Sequence, residues 1–209
     1  AYGLVTVPEG KMSSRKGTVI YFSKLQETLT HHLLNEQLAK HKDEWTDDEL
    51  QNAARKIAIA TIKYGMLNQD NLKNIVFDMK EWTSPLGNTG PYLLYAYART
   101  CSIERKVGDV DFALFNGTRL IHSDERVLLN ELSSFDDVIK RSVEQNRPQN
   151  LCIYLYHLAR CFSRMFENCS VAHAEDEELK ISRLALVKAT GKALDRGLGL
   201  LGISTLEKM

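Results

Sequence analysis

The sequence has no excess of charge of either sign, few cysteines and prolines, and no long apolar run, and each shortage removes a class of function. Lys plus Arg and Asp plus Glu both number 27. No global basic field therefore exists to hold nucleic acid without selectivity, and any nucleic-acid site must be a local patch. The four cysteines (Cys101, Cys152, Cys161 and Cys169) form no CxxC pair, which argues against a zinc site or a disulfide framework and suits reduced thiols in the cytosol. The six histidines fall into no HxxxH or HExxH spacing, so no metal is expected, and no Ser/His/Asp or Cys/His arrangement can be argued from them. No apolar stretch approaches a membrane span, and no basic region followed by an apolar one opens the chain. A soluble protein with no visible address is expected. The first residues carry no initiating Met and read as a strand entered midway, so the sequence is expected to be a piece of something longer.

What is present is the balance of a folded domain: 209 residues, 44% hydrophobic and 26% charged. Residues 4–7 and 18–22 read as short β segments flanking a basic loop bounded by Gly10 and Gly17. The pattern then changes to a helical period. Ser23 to Gln26 reads as a capping box, with Phe22, Leu25, Leu29, Leu33 and Leu38 on one face. A second capping box, Thr46 to Glu49, with Trp45 and Leu50 spaced for a hydrophobic staple, predicts a helix burying Leu50, Ala53, Ala54, Ile57, Ala58, Thr61 and Tyr64. Residues 74–78 read as extended, and 84–90 are dense in turn formers, which places a domain boundary there. Pro91 suits the first turn of a new helix. Helical patterns follow at roughly 123–133, 134–146, 148–167 and 175–200, and Gly202 is a plausible left-handed stop. The fold expected is mainly α: a short β/loop piece (1–22), a helical connecting segment (23–84) and an α-helical bundle (85–209).

Two features carry chemistry. Lys11, Arg15 and Lys16 with Ser13 and Ser14, around Met12 and before Gly17, make a short cationic loop. Ammonium groups there could follow charge moving on a triphosphate while hydroxyls and free N–H groups hold its oxygens, although a solvated turn fits the same composition. Tyr92, Tyr95 and Arg99 fall within about 100° of one another on a helix. Such a stripe could stack unpaired bases and pair a phosphate, although aromatics at helical spacing are more often core.

The wording of these segments resembles a known family. Lys11-Met-Ser-Ser-Arg-Lys-Gly17 is similar to the KMSKS signature of class I aminoacyl-tRNA synthetases, with Ser14 where the second Lys would stand. Gly87-Asn-Thr-Gly-Pro-Tyr-Leu-Leu-Tyr-Ala-Tyr-Ala-Arg99 resembles the segment that opens the anticodon-binding domain of arginyl-tRNA synthetases. The stretch 155–169, then Arg183-Leu-Ala-Leu, then 197–203 and the terminal Met209 are similar to that domain in order and spacing, so the resemblance is collinear over nearly the whole chain.

The resemblance implies ATP-dependent attachment of arginine to its tRNA, through arginyl-adenylate and with ATP and Mg2+ in the complete enzyme. It assigns Lys11, Met12 and Ser13 to the ATP loop beside Ser14, and gives the second lysine's role to Arg15 or Lys16. It assigns Tyr92, Tyr95, Phe166 and Met209 to the tRNA, to which the helical stripe adds Arg99, and Ser170 stands where some members carry a bulkier stacking residue. The strand-and-helix units of a nucleotide pocket and the HIGH-type motif are not in this sequence, so by itself it is expected to make no adenylate. A cytoplasmic monomer with tRNA as partner is expected. Two alternatives stay open: a fragment of another class I synthetase, of the cysteine or class I lysine type, and a non-enzymatic helical RNA-binding or interaction module.

Overall fold

The computed structural model describes residues 3–8, the backbone of 10–11, and 21–209. Three short strands, β1 (Val5–Val7), β2 (Gly10–Lys11) and β3 (Ile75–Val76), form a sheet of order β2-β1-β3. β1 runs antiparallel to β2 with Thr6 opposite Lys11, and parallel to β3 with Val5 opposite Ile75. The extended stretch expected at 74–78 thus finds its partner some 70 positions earlier, through Ile75 N–H to the Leu4 carbonyl (2.8 Å) and Phe77 N–H to the Thr6 carbonyl (2.8 Å).

Helix α1 (Phe22–Glu36) corrects one expectation. Phe22 is helical and 60% exposed, and the Ser23 capping box does not form. The helix opens two residues too early for it: Tyr21 is the extended N-cap residue and its carbonyl accepts the first bond from Leu25 N–H (2.9 Å), leaving Ser23 inside the first turn. Leu29 and Leu33 are fully buried as the period demands.

Helix α2 (Asp47–Leu67) begins at the capping box that was expected. Glu49 N–H donates to Thr46 Oγ1 (3.3 Å) and Thr46 N–H donates to Glu49 Oε2 (2.9 Å). The backbone N–H of Thr46, and then its hydroxyl, hold the Glu49 carboxyl below its ordinary range. Every residue predicted for the inner face of α2 is buried.

After the single turn α3 (Met79–Trp82), Thr89 caps α4 (Gly90–Val107) by accepting from Tyr92 N–H (3.2 Å), with Pro91 in the first turn. A Cβ on Gly90 would lie 2.5 Å from the Ala60 carbonyl oxygen of α2. Backbone cannot yield as a side chain can, so α2 and α4 touch through this position. Gly90→Ala should force them apart and cost about 1–3 kcal/mol, read as a lower urea midpoint at unchanged m-value. A variant of unchanged midpoint would show that the contact is slack.

Helices α5 (Ser123–Ser133), α6 (Phe135–Glu144), α7 (Gln149–Asn168) and α8 (Glu177–Leu200) follow, all within about two residues of the ranges read from the periodicity. α8 ends as expected: Gly202 has φ +69°, its N–H bonds the Gly199 carbonyl (2.9 Å), and Ile203 N–H bonds the Leu198 carbonyl (2.9 Å), a Schellman motif with Leu198 and Ile203 both buried.

The core is one continuous cluster. It runs from Leu29 and Leu33 through Ile57, Leu93 and Leu94 to Leu128, Leu155, Phe162, Leu194 and Leu198. Fully buried Tyr64 of α2 crosses the turn-rich segment 84–90 within it, sharing its one hydroxyl proton between Asn88 Oδ1 (2.6 Å) and the Cys152 carbonyl of α7 (2.9 Å). α2 and the segment leading into α4 are therefore both tied to α7.

Candidate nucleic-acid interface

Helix α4 buries Leu93, Leu94, Ala96, Thr100 and Ile103, and α7 buries Leu151, Leu155, Leu158, Phe162 and Met165. The turns left over bring Tyr95 and Arg99 of α4 beside Phe166 of α7. The Arg99 guanidinium carbon lies 4.7 Å from the Tyr95 ring centre and 5.1 Å from that of Phe166, and Arg99 Nη2 donates to the Tyr95 hydroxyl (2.7 Å). Tyr95 and Phe166 are each 38% exposed, so both rings offer surface to solvent. Among the described residues no carboxylate lies within ion-pair distance of Arg99. A planar cation with donors to spare, held between two open rings, can stack on a base or fork onto a phosphate.

Tyr92, the third member of the expected stripe, is half-buried. Its hydroxyl is 3.4 Å from Ser163 Oγ and its ring meets Tyr156 edge to face at 5.7 Å. Tyr156 and Arg160 do not stand out in the sequence, where 148–167 reads as a helical pattern without a marked polar stripe. The Arg160 guanidinium sits 5.8 Å over the Tyr156 ring. The signal was available, since Tyr156 and Arg160 stand four apart as Tyr95 and Arg99 do.

The end of α7 that carries Phe166 is tied down by charge. Asp124, at the start of α5, is 6% exposed; it accepts from Asn168 Nδ2 (2.7 Å) and pairs with Arg164 (3.2 Å). Its neighbour Glu125 is fully buried, pairs with Arg183 Nε of α8 (2.6 Å), and accepts His122 N–H (2.9 Å). Arg183 also donates to the Ser170 carbonyl (2.7 Å), which holds the turn after α7. The Ser170 hydroxyl is occupied locally, accepting from His173 N–H (3.1 Å).

Met209 stands in the tail after α8. It is half-buried against the core, and the tail before it bonds along the later part of α4 and α8 through Arg105 to the Glu207 carbonyl (3.1 Å) and Thr205 to Asp195 (2.6 Å). Lys11 pairs by backbone with Thr6 at the sheet edge. Met12, Ser13, Ser14, Arg15 and Lys16 lie outside the described residues.

Burial pushes the Cys152 thiol up to about 12, and pushes those of Cys101, Cys161 and Cys169 upward as well, so all four stay protonated at neutral pH and none is an activated nucleophile. Among the described residues no three His, Cys, Asp or Glu side chains converge on a point that could hold a metal ion, and no helix is long and apolar enough to cross a membrane.

Comparison with known proteins gives a consistent picture. Residues 93–209 match the DALR anticodon binding domain family. The arginine–tRNA ligase of Bdellovibrio bacteriovorus is 36% identical over 208 residues, a match that takes in 100% of this chain and 36% of that protein. The arginine–tRNA ligase of Shewanella woodyi is 37% identical over 209 residues, again 100% of this chain and 36% of the relative. Among solved structures, the Thermus thermophilus arginyl-tRNA synthetase superposes with a TM-score of 0.89 at 30% identity, covering 100% of this chain and 35% of that one. The arginyl-tRNA synthetase of Plasmodium falciparum shares the fold, with a TM-score of 0.83 at 23% identity and the same coverage. The chain thus spans a little over a third of the length of the relatives it matches.

Proposed function

Because the chain belongs to the DALR anticodon binding domain family, which matches it over more than half its length, we propose that it is the tRNA-handling part of an arginine–tRNA ligase. Its α4–α7 face docks the anticodon arm of the arginine acceptor tRNA. The single observation that supports this most is the convergence of Tyr95, Arg99 and Phe166, which come from helices some 70 positions apart in sequence and meet on an open face with the guanidinium bracketed by the rings. Open rings accept splayed bases and the cation accepts backbone charge, which is the chemistry of single-stranded loop recognition. Tyr92 supports the face from within by its contacts to Ser163 and Tyr156. Met209, in the tail packed against the core, remains assigned to the tRNA by the resemblance. On this reading neither alternative fits as well, because the relatives are arginine–tRNA ligases.

In the complete enzyme the reaction joins arginine to ATP, releasing pyrophosphate, and then passes the arginyl group from the adenylate to the 3′ end of the tRNA, releasing AMP. Residues 1–22 contribute to ATP handling: Lys11, Arg15 and Lys16 would balance charge on the leaving pyrophosphate, with Ser13 and Ser14 as hydroxyl donors. No carboxylate cluster among the described residues fits a protein-held magnesium. Residues 23–84 connect this loop to the docking domain of 85–209. The chain by itself makes no adenylate.

Ribonuclease footprinting of the arginine acceptor tRNA on the chain tests the docking. Protection centred on the anticodon loop is expected. Protection confined to the acceptor end, or none at chain concentrations that saturate binding, contradicts it.

A further inference from the structure

The anticodon-docking reading uses the Tyr95–Arg99–Phe166 cluster, but the same face carries a second station built the same way. Arg160 stands one helical turn after Tyr156 and lies over its ring at 5.8 Å. Tyr156 in turn is braced edge-on by Tyr92 at 5.7 Å, a residue one turn before Tyr95 on α4. At about 100° per residue, Phe166, Ser163, Tyr156 and Arg160 occupy an arc of roughly 120° on α7, so the two stations share one exposed surface. Among the described residues no carboxylate lies within ion-pair distance of Arg160, whereas Arg119, Arg164 and Arg183 are each paired, with Asp176, Asp124 and Glu125 respectively. In a chain of zero formal net charge, an exposed arginine held in place and left unneutralised is poised for an anion from outside.

The two stations differ in what they leave open. Tyr95 and Phe166 are each 38% exposed and can take a base. Tyr156 is only half-exposed, with Arg160 over its ring and Tyr92 packed against it, so its faces offer no slot for stacking. What remains free is the guanidinium fork, whose planar donors match phosphate oxygens.

We propose that Arg160, held over Tyr156, binds a backbone phosphate of the RNA arm that docks on this face, adding affinity without reading sequence. This rests on the docking reading above and goes beyond it by naming a contact of a different kind. The test is equilibrium binding of the whole chain to the arginine acceptor tRNA, and to the same tRNA with a changed anticodon, over a series of salt concentrations. Arg160→Gln is expected to weaken binding about tenfold at low salt and to reduce the salt slope by about one, while the preference between the two tRNAs stays as in the unaltered chain. Arg160→Lys keeps the charge and should keep the slope; because it is the gentler change, it also guards against a folding defect in the glutamine variant. Arg99→Gln is the contrast and should erode the preference itself.

An Arg160→Gln chain with unchanged affinity and slope overturns the phosphate contact while leaving the docking reading intact. So does one that changes the preference between the two tRNAs, or a lysine variant that loses the slope. An unaltered chain that binds neither tRNA overturns both proposals together.

Discussion

Arg183→Ala should cost the chain about 3–5 kcal/mol of stability, among the largest effects of any single exposed-to-half-buried position, because it strands a charge. Glu125 is fully buried and its Oε1 is held by Arg183 Nε at 2.6 Å, with the Arg183 side chain itself 14% exposed. Removing the arginine leaves a carboxylate in the interior with the His122 N–H and the neutral Cys169 thiol as its described partners and no cation to balance it, and the penalty is that of an uncompensated buried charge rather than the value of a surface ion pair. For a domain of this size the loss corresponds to a fall in Tm of roughly 10 °C.

Replacing both partners with leucine should recover most of the loss, since the desolvation cost goes with the pair. The site would register the same change. Arg183 also holds the Ser170 carbonyl, so the alanine variant should bind tRNA more weakly even at temperatures where it is folded. Urea melts of Arg183→Ala, the two single leucine variants and the double variant decide the matter, and a cost for Arg183→Ala below about 1 kcal/mol would show the pair to be no more than a surface contact.

The second large effect falls on binding rather than folding. Tyr95→Ala and Phe166→Ala each remove an open ring, and base–aromatic stacking is worth about 1–3 kcal/mol per base, so each should weaken binding of the arginine acceptor tRNA by roughly five- to 150-fold. Neither ring is deeply buried, so stability should move by about 0.5 kcal/mol or less. The two effects should not add, because Arg99 is shared: it lies over both rings and bonds the Tyr95 hydroxyl. A double-mutant cycle should return a coupling of about 0.5 kcal/mol or more. Tyr95→Phe keeps the ring and releases only the hydroxyl that steadies Arg99, so its effect should be the smallest of the series. Equal losses for Tyr95→Phe and Tyr95→Ala would mean that the hydroxyl, and not the ring, carries the contact.

Much of this arrangement is legible in the sequence because its determinants are local. The inner face of α2 repeats on a helical period, and its Thr46–Glu49 cap is written within four residues; α8 stops where Gly202 supplies the left-handed conformation. What is illegible depends on partners distant in the chain. The pairing of β1 with β3 joins residues some 70 positions apart, and neither strand is long enough to carry an alternating pattern of its own. Glu125 and Arg183 are separated by 58 positions, and nothing around either marks it as half of a buried pair.

The start of α1 was misjudged because Phe22 follows a β-prone run and Ser23 mimics a cap, while the real N-cap, Tyr21, offers no side-chain signal. At the site, Tyr95 and Arg99 stand on one helical stripe, Phe166 enters through the family resemblance, and the structure brings the three together. Tyr92 sits beneath the surface, and Met209 lies in the tail packed against the core. Tyr156 and Arg160 repeat the spacing of Tyr95 and Arg99, yet an apolar helix face and an aromatic–arginine station look alike until the neighbouring helix is in place.

The central claim, that this chain docks the anticodon arm through the α4–α7 face, is tested most directly by one comparison: the affinity of the unaltered chain for the arginine acceptor tRNA against its affinity for the same tRNA with only the anticodon changed. The account predicts a preference of about tenfold or more for the unchanged anticodon, shrinking toward equality when Tyr95 is replaced by alanine. Equal binding of the two tRNAs by the unaltered chain would contradict it.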